Sequence, residues 1–90
     1  MNARNRIRAN IFRLVGLALE VARCERPGVT ELEVLAAIAD AARLAPGCYR
    51  RSHRAHQLRR MMTGERTPTL ETLDALAVAL GVDVAEFLRA

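Results

Sequence analysis

The chain has 90 residues, 51% of them hydrophobic and 3% aromatic, with a formal net charge of +4. That apolar content excludes a disordered chain. The length fits one domain over residues 1–90, and no run of 18 apolar residues exists to span a membrane. A chain this short buries only about 60–65% of the surface its unfolded form exposes, so it is marginal alone and gains from dimerising. Alanine and leucine dominate and β-branched runs are absent, which predicts an all-α fold with closely packed helices.

Arg4, Arg6 and Arg8 precede an apolar stretch over 11–22, an order found in signal peptides. Arg13 and Glu20 interrupt that stretch and no small-x-small cleavage pattern follows, so a cytoplasmic chain is expected. The same segment predicts a first helix over 4–24. Ile7, Ile11, Leu14, Ala18 and Val21 recur at helical spacing, and Phe12, Val15, Leu19 and Ala22 widen the stripe. This stripe is wider than one small core needs: it serves the core, a dimer surface, or both. Pro27-Gly28 ends the helix.

Thr30-x-x-Glu33 is a capping box opening a second helix over 31–44, which buries Leu32, Leu35, Ile38, Ala39 and Ala42. Pro46-Gly47 stops it. A third helix carries the basic run YRRSHRAHQLRR over 49–60. It starts either at Cys48 or after Ser52 as N-cap, and it ends at Thr63-Gly64 with Gly64 left-handed. Leu58, Met61 and Met62 are expected inward, with Arg54, His56, Gln57 and Arg60 largely on the other side. A fourth helix starts near Pro68-Thr69 and runs to Leu80, with Leu70, Leu73, Leu76, Ala77 and Leu80 as its core face, and Gly81 closes it. Asp83-x-x-Glu86 caps a fifth helix that buries Val84, Phe87 and Leu88.

All 14 basic residues are arginine. A high-GC genome accounts for much of the preference over lysine; position is more telling. Over 50–66, six arginines face one acid, Glu65, giving +5; over 67–90, Arg89 faces four acids, giving −3; over 1–49, seven arginines face five acids, giving +2. Positive charge focused on one helix is an electrostatic footprint for a polyanion.

Together, Gly64, Pro68, Thr69-Leu70-Glu71-Thr72-Leu73, Ala77-Val78-Ala79-Leu80-Gly81-Val82 and the capped segment 83–88 resemble the Cro/phage-repressor helix-turn-helix family, also called the xenobiotic-response-element-like family. The likeness covers about the last forty residues. It implies a five-helix lambda-repressor-like helix-turn-helix domain, here with a lengthened first helix. The first half departs from the family in that longer helix, in a longer second helix without a Ser-Gln-like start, and in an extended link over 45–51.

By this resemblance the partner is double-stranded DNA, read in the major groove by the third helix. Leu58 matches the buried aliphatic of the recognition helix. Arg54, Ala55, His56, Gln57 and Arg60 match the base-reading positions: arginine can pair bidentately with guanine and glutamine with adenine. Arg50, Arg51, Arg59 and Arg66 suit phosphates, and the fourth helix's start at Thr69 adds N–H donors. The resemblance further implies a bacterial, plasmid or phage transcriptional regulator, a repressor rather than an activator, binding a palindromic operator as a homodimer in the nucleoid.

Other chemistries are poorly supported. Cys24, Cys48, His53 and His56 follow a C-x23-C-x4-H-x2-H spacing that matches no usual zinc site, so neither metal nor cofactor is expected. The two cysteines fit a reduced cytosol as small apolar residues. Ser52 and His53 are adjacent and cannot face each other on a helix. No nucleophile, paired-carboxylate or phosphate-loop signature appears, so an enzyme is not expected. The competing reading is an antitoxin-like module that binds a partner protein through its first helix.

Overall fold

The computed structural model describes residues 2–48 and 50–90. Tyr49, with which the basic run opens, lies outside the described residues. The elements are α1 (Ala3–Glu25), α2 (Glu31–Ala41), α3 (Arg51–Thr63), α4 (Leu70–Leu80) and a closing 3-10 helix (Val84–Leu88), and no strand occurs among the described residues. The fold is all-helical, as composition predicts.

Each helix start that the sequence marks with a hydroxyl or carboxylate is capped there. The Thr30 hydroxyl accepts from the Glu33 N–H at 3.2 Å, the Thr69 hydroxyl from the Thr72 N–H at 3.1 Å, and the Asp83 carboxylate from the Ala85 N–H at 2.8 Å. These bonds satisfy donors that a helix leaves open in its first turn. Gly64 at φ 85° and Gly81 at φ 70° end α3 and α4 in the left-handed region, where a side chain is strained and glycine is not.

Helix α2 ends three residues earlier than its apolar pattern predicts. The Leu44 N–H donates to the Ala39 carbonyl at 2.9 Å and the Arg43 N–H to the Asp40 carbonyl at 3.1 Å. This pair of bonds is a Schellman ending, and Leu44 then folds back into the core, as the motif favours. Arg43 takes the left-handed position at φ 55°, with no glycine to announce it. Ala45 is also left-handed, at φ 49°, and the Cys48 N–H closes a turn onto the Ala45 carbonyl at 2.9 Å. Helix α3 then begins at Arg51, with Arg50 as an N-cap that makes no side-chain capping bond. Neither expected start, Cys48 or a Ser52 cap, is the observed one.

The core joins Ile11, Leu14 and Val15 of α1, Leu35, Ile38 and Ala39 of α2, Leu58 and Met61 of α3, Leu73, Leu76 and Ala77 of α4, and Phe87. Helix α3 packs chiefly on α2, and α1 chiefly on the 3-10 helix. Three residues expected in this core, Leu32, Leu88, and Leu70 on the first turn of α4, are exposed, Leu70 at 72%, whereas Leu80 is half-buried and packs against the core. Phe12 and Val21, part of the predicted α1 stripe, are each 59% exposed. The α1 stripe is thus split: its centre is core and its margins are surface.

One buried polar residue ties the chain ends together. The Asn10 side-chain amide donates to the carbonyls of Phe87 at 2.9 Å and Arg89 at 2.7 Å. It closes the open end of the 3-10 helix, whose carbonyls have no helical partner. Asn10→Ala should destabilise the fold by about 1–3 kcal/mol, the penalty for stranding buried acceptors. A urea titration would show it as a lowered midpoint; an unchanged midpoint would mean the two bonds carry no net stability.

Candidate nucleic-acid interface

The orientation of α3 follows from which side chains the core accepts. At about 100° per residue, Leu58, Arg54, Ala55, Met61 and Met62 fall on one side of the helix, while Ser52, His53, His56, Arg59, Arg60 and Thr63 fall on the other. Leu58, Ala55 and Met61 are buried and Met62 half-buried, whereas Ser52, His53, His56, Arg59 and Thr63 are exposed and Arg60 partly so. The outward face therefore carries two imidazoles, two guanidiniums and two hydroxyls.

Three residues expected among the base readers lie elsewhere. Ala55 is in the core at 2% exposure, on the same side of α3 as Leu58. Arg54 is turned inward, its side chain 17% exposed. Its Nε pairs with the Asp40 carboxylate on α2, and its Nη1 donates to the Cys48 carbonyl at 2.7 Å. Gln57 is buried, its Oε1 accepting from Arg66 Nη1 at 2.8 Å and its Nε2 lying 3.3 Å from His53 Nε2. Arg54 and His56 differ by two positions, roughly 200° of helix, so they cannot share a face. His56 and Arg60, four apart, do share one.

The remaining predicted positions are at the surface. Arg59 Nη2 pairs with Glu31 at the start of α2 at 3.1 Å, and Arg60 Nε lies 3.8 Å from Glu65. Both pairs are about half exposed, so each is worth at most about 1 kcal/mol and yields readily to a stronger anion. Arg50 and Arg51 sit at the start of α3, where no acid stands in the first turn and no side chain caps the helix. Open N–H groups beside two cations make this end receptive to an anion. Arg66 is exposed in the turn after α3, and Thr69 is exposed at the start of α4. His53, Ser52 and Thr63 are also exposed, and their spacing alone places them in phase with His56.

A family model described as Helix-turn-helix matches residues 57–87, about a third of the chain. It covers the second half of α3, the glycine turn, α4 and most of the 3-10 helix. No curated protein and no solved structure matches the chain. The matched stretch is similar to the Cro/phage-repressor type of helix-turn-helix, and with an all-helical fold it supports a DNA-binding helix-turn-helix regulator. No helix among the described residues is long and apolar enough to cross a membrane.

The inward turn of Arg54 separates structural from surface residues by experiment. Arg54→Ala removes two charge-assisted bonds and should lower unfolding free energy by about 2 kcal/mol. His56→Ala, on the open face, should change it by no more than about 0.5 kcal/mol. Chemical denaturation monitored by circular dichroism measures both, and the opposite ranking would mean α3 is rotated from the orientation described.

Proposed function

We propose that the protein is a transcriptional repressor that binds a palindromic operator as a homodimer, with α3 seated in the major groove. The observation that carries this reading is the outward face of α3. It presents His56 in its middle and Arg60 in its last turn, with His53 near its start, while the opposite face is held by Leu58, Ala55 and Arg54. Such a helix offers donors and acceptors at fixed positions, which base-edge recognition requires. Arg60 reads guanine once Glu65 is displaced; His56 and His53 contact neighbouring edges. Arg50, Arg51, Arg59 and Arg66, with the open N–H groups at Thr69, take phosphates and set the register. Gln57 acts through Arg66 and His53 and touches no base itself.

The homodimer is supported by the apolar margins of α1. Phe12 borders a cleft of about 130 Å³ shared with Val34 and Met62. On the other flank, Leu17 and Val21 border a groove toward Leu80 and Val82. A second copy covering one of these would bury exposed apolar surface and double the base contacts on a symmetric site. The same margins would suit a partner protein, the antitoxin-like alternative, if the chain sediments as a monomer.

Selection of bound fragments from random DNA should return inverted half-sites spaced by one helical turn, about 34 Å, or a multiple. Asymmetric single sites would argue against the dimer. Arg60→Ala should cost about 1–3 kcal/mol on the selected sequence and relax the preference at one base pair. Arg66→Ala should weaken all sequences alike and flatten the salt dependence. In sedimentation velocity, Phe12→Asp or Val21→Asp should shift the chain toward monomer if its flank is the interface.

A further inference from the structure

The start of α1 carries arginines where a helix least favours them. Arg4, Arg6 and Arg8 occupy the first two turns, no acid stands in the first turn, and the first acidic residue of α1 is Glu20. The N-terminal end of a helix is its positive pole and disfavours cations. Among the described residues, no carboxylate lies within ion-pair distance of Arg4 or Arg8. Arg4 and Arg8, set at this pole with no carboxylate beside them, are open to an anion from outside the fold.

The fold brings these residues to the far end of α3. Arg4 Nη2 donates to the Gly64 carbonyl at 3.2 Å. The stem of Arg8 crosses Gly64 so closely that a Cβ there would lie 2.8 Å from Arg8 Cδ. The left-handed turn is what calls for glycine at position 64; a Cβ there would also push the flexible Arg8 stem aside. Arg4, Arg8, Gly64, Arg66 and Pro68 line one shallow cleft. Arg4 and Arg8, four apart, project from one side of α1.

From this juxtaposition we propose that Arg4 and Arg8 join Arg66 in a clamp for nucleic-acid backbone phosphate at the C-terminal end of α3. The proposal rests on the DNA-binding reading and extends it to a segment far in sequence from the helix-turn-helix match. Arg50 and Arg51 hold the other end of α3. At 1.5 Å per residue the helix is about 20 Å long, so with α3 lying lengthwise in the major groove the two cationic groups stand about that far apart along the groove walls. One clamp at each end fixes both the depth and the tilt of the reading face.

The test uses the full chain and a fluorescently labelled 30-base-pair duplex of arbitrary sequence, because phosphate contacts are indifferent to sequence. Anisotropy titrations over a range of sodium chloride give the slope of log Kd against log salt. Arg4→Gln/Arg8→Gln should reduce that slope by about 1–2, since each lost phosphate contact removes about 0.9. Arg4→Lys/Arg8→Lys should keep it, because charge and stem are retained. Arg23→Gln/Arg26→Gln, at the other end of α1, lowers net charge equally and should leave the slope unchanged. Thermal melts followed by circular dichroism check that each variant is folded. Wild-type binding with an unchanged Arg4→Gln/Arg8→Gln slope overturns the clamp and leaves the DNA reading intact, as does an equal loss in both Gln pairs. No binding by the wild type overturns the DNA reading and the clamp with it.

Discussion

The inward-turned guanidinium of Arg54 is the constraint on which the rest of the molecule depends. It reaches Asp40 at the end of α2 and the Cys48 carbonyl in the linker, tying the linker to the two helices that pack on each other across it. The linker over 42–50 contains two left-handed residues that are not glycine, and such residues persist only when their surroundings over-determine them. Leu44 buried on one side and Arg54 bonded on the other supply that determination. Together with Leu58, the pin fixes the rotation of α3 about its axis. Rotation decides which residues the solvent sees, so a structural ion pair selects the reading face without taking part in it.

The distribution of charge follows the same logic. Where an arginine holds the fold, an acid meets it: Arg54 with Asp40, Arg13 with Glu86. Where cations crowd the positive end of a helix, no acid is supplied. Arg50 and Arg51 stand at an uncapped start of α3, and Arg4 and Arg8 at the start of α1. A cation in a helix's first turn forgoes about 0.3–1 kcal/mol relative to the opposite pole. A chain of 90 residues has little stability to spare, and that sacrifice makes sense where an external anion restores the balance.

Much of the fold was legible because short-range chemistry agrees with it. Thr30, Thr69 and Asp83 mark helix starts, Gly64 and Gly81 mark ends, and the spacing of Leu73, Leu76 and Ala77 marks a buried face. The misreadings occur where the signal is tertiary. The Schellman ending of α2 uses Arg43 in place of glycine, so nothing local announces it. Leu70 and Leu88 fit an apolar period, yet they sit at element ends beyond the reach of the core. The closing element, five residues long, is a 3-10 helix, a form that occurs mostly in short pieces. At the site, chemical type outweighed phase. Arg54 and Gln57 look like base readers by side chain, but their angular positions place them with Leu58 and Met61. Thr63 shares the phase of His56 with weaker chemistry, and His53 shares both its phase and its chemistry, one turn earlier. The approach of Arg4 and Arg8 to Gly64 spans some sixty residues of sequence, and no local pattern encodes it.

The length of α1 gives these observations one cause. A short first helix would cover the core and stop. At 23 residues, α1 instead runs past the core at both ends. Its first two turns lie beside the end of α3, its middle contributes Ile11, Leu14 and Val15 to the core, and its margins leave Phe12, Leu17 and Val21 uncovered. Because a helix is stiff, the position of its middle fixes the rest. The core contacts that set α1 therefore also set the distance from its cations to the reading face and the direction of its apolar margins. Pairing two copies through one margin would thus orient both cationic ends and both α3 helices at once, coupling assembly to binding through a single rigid element.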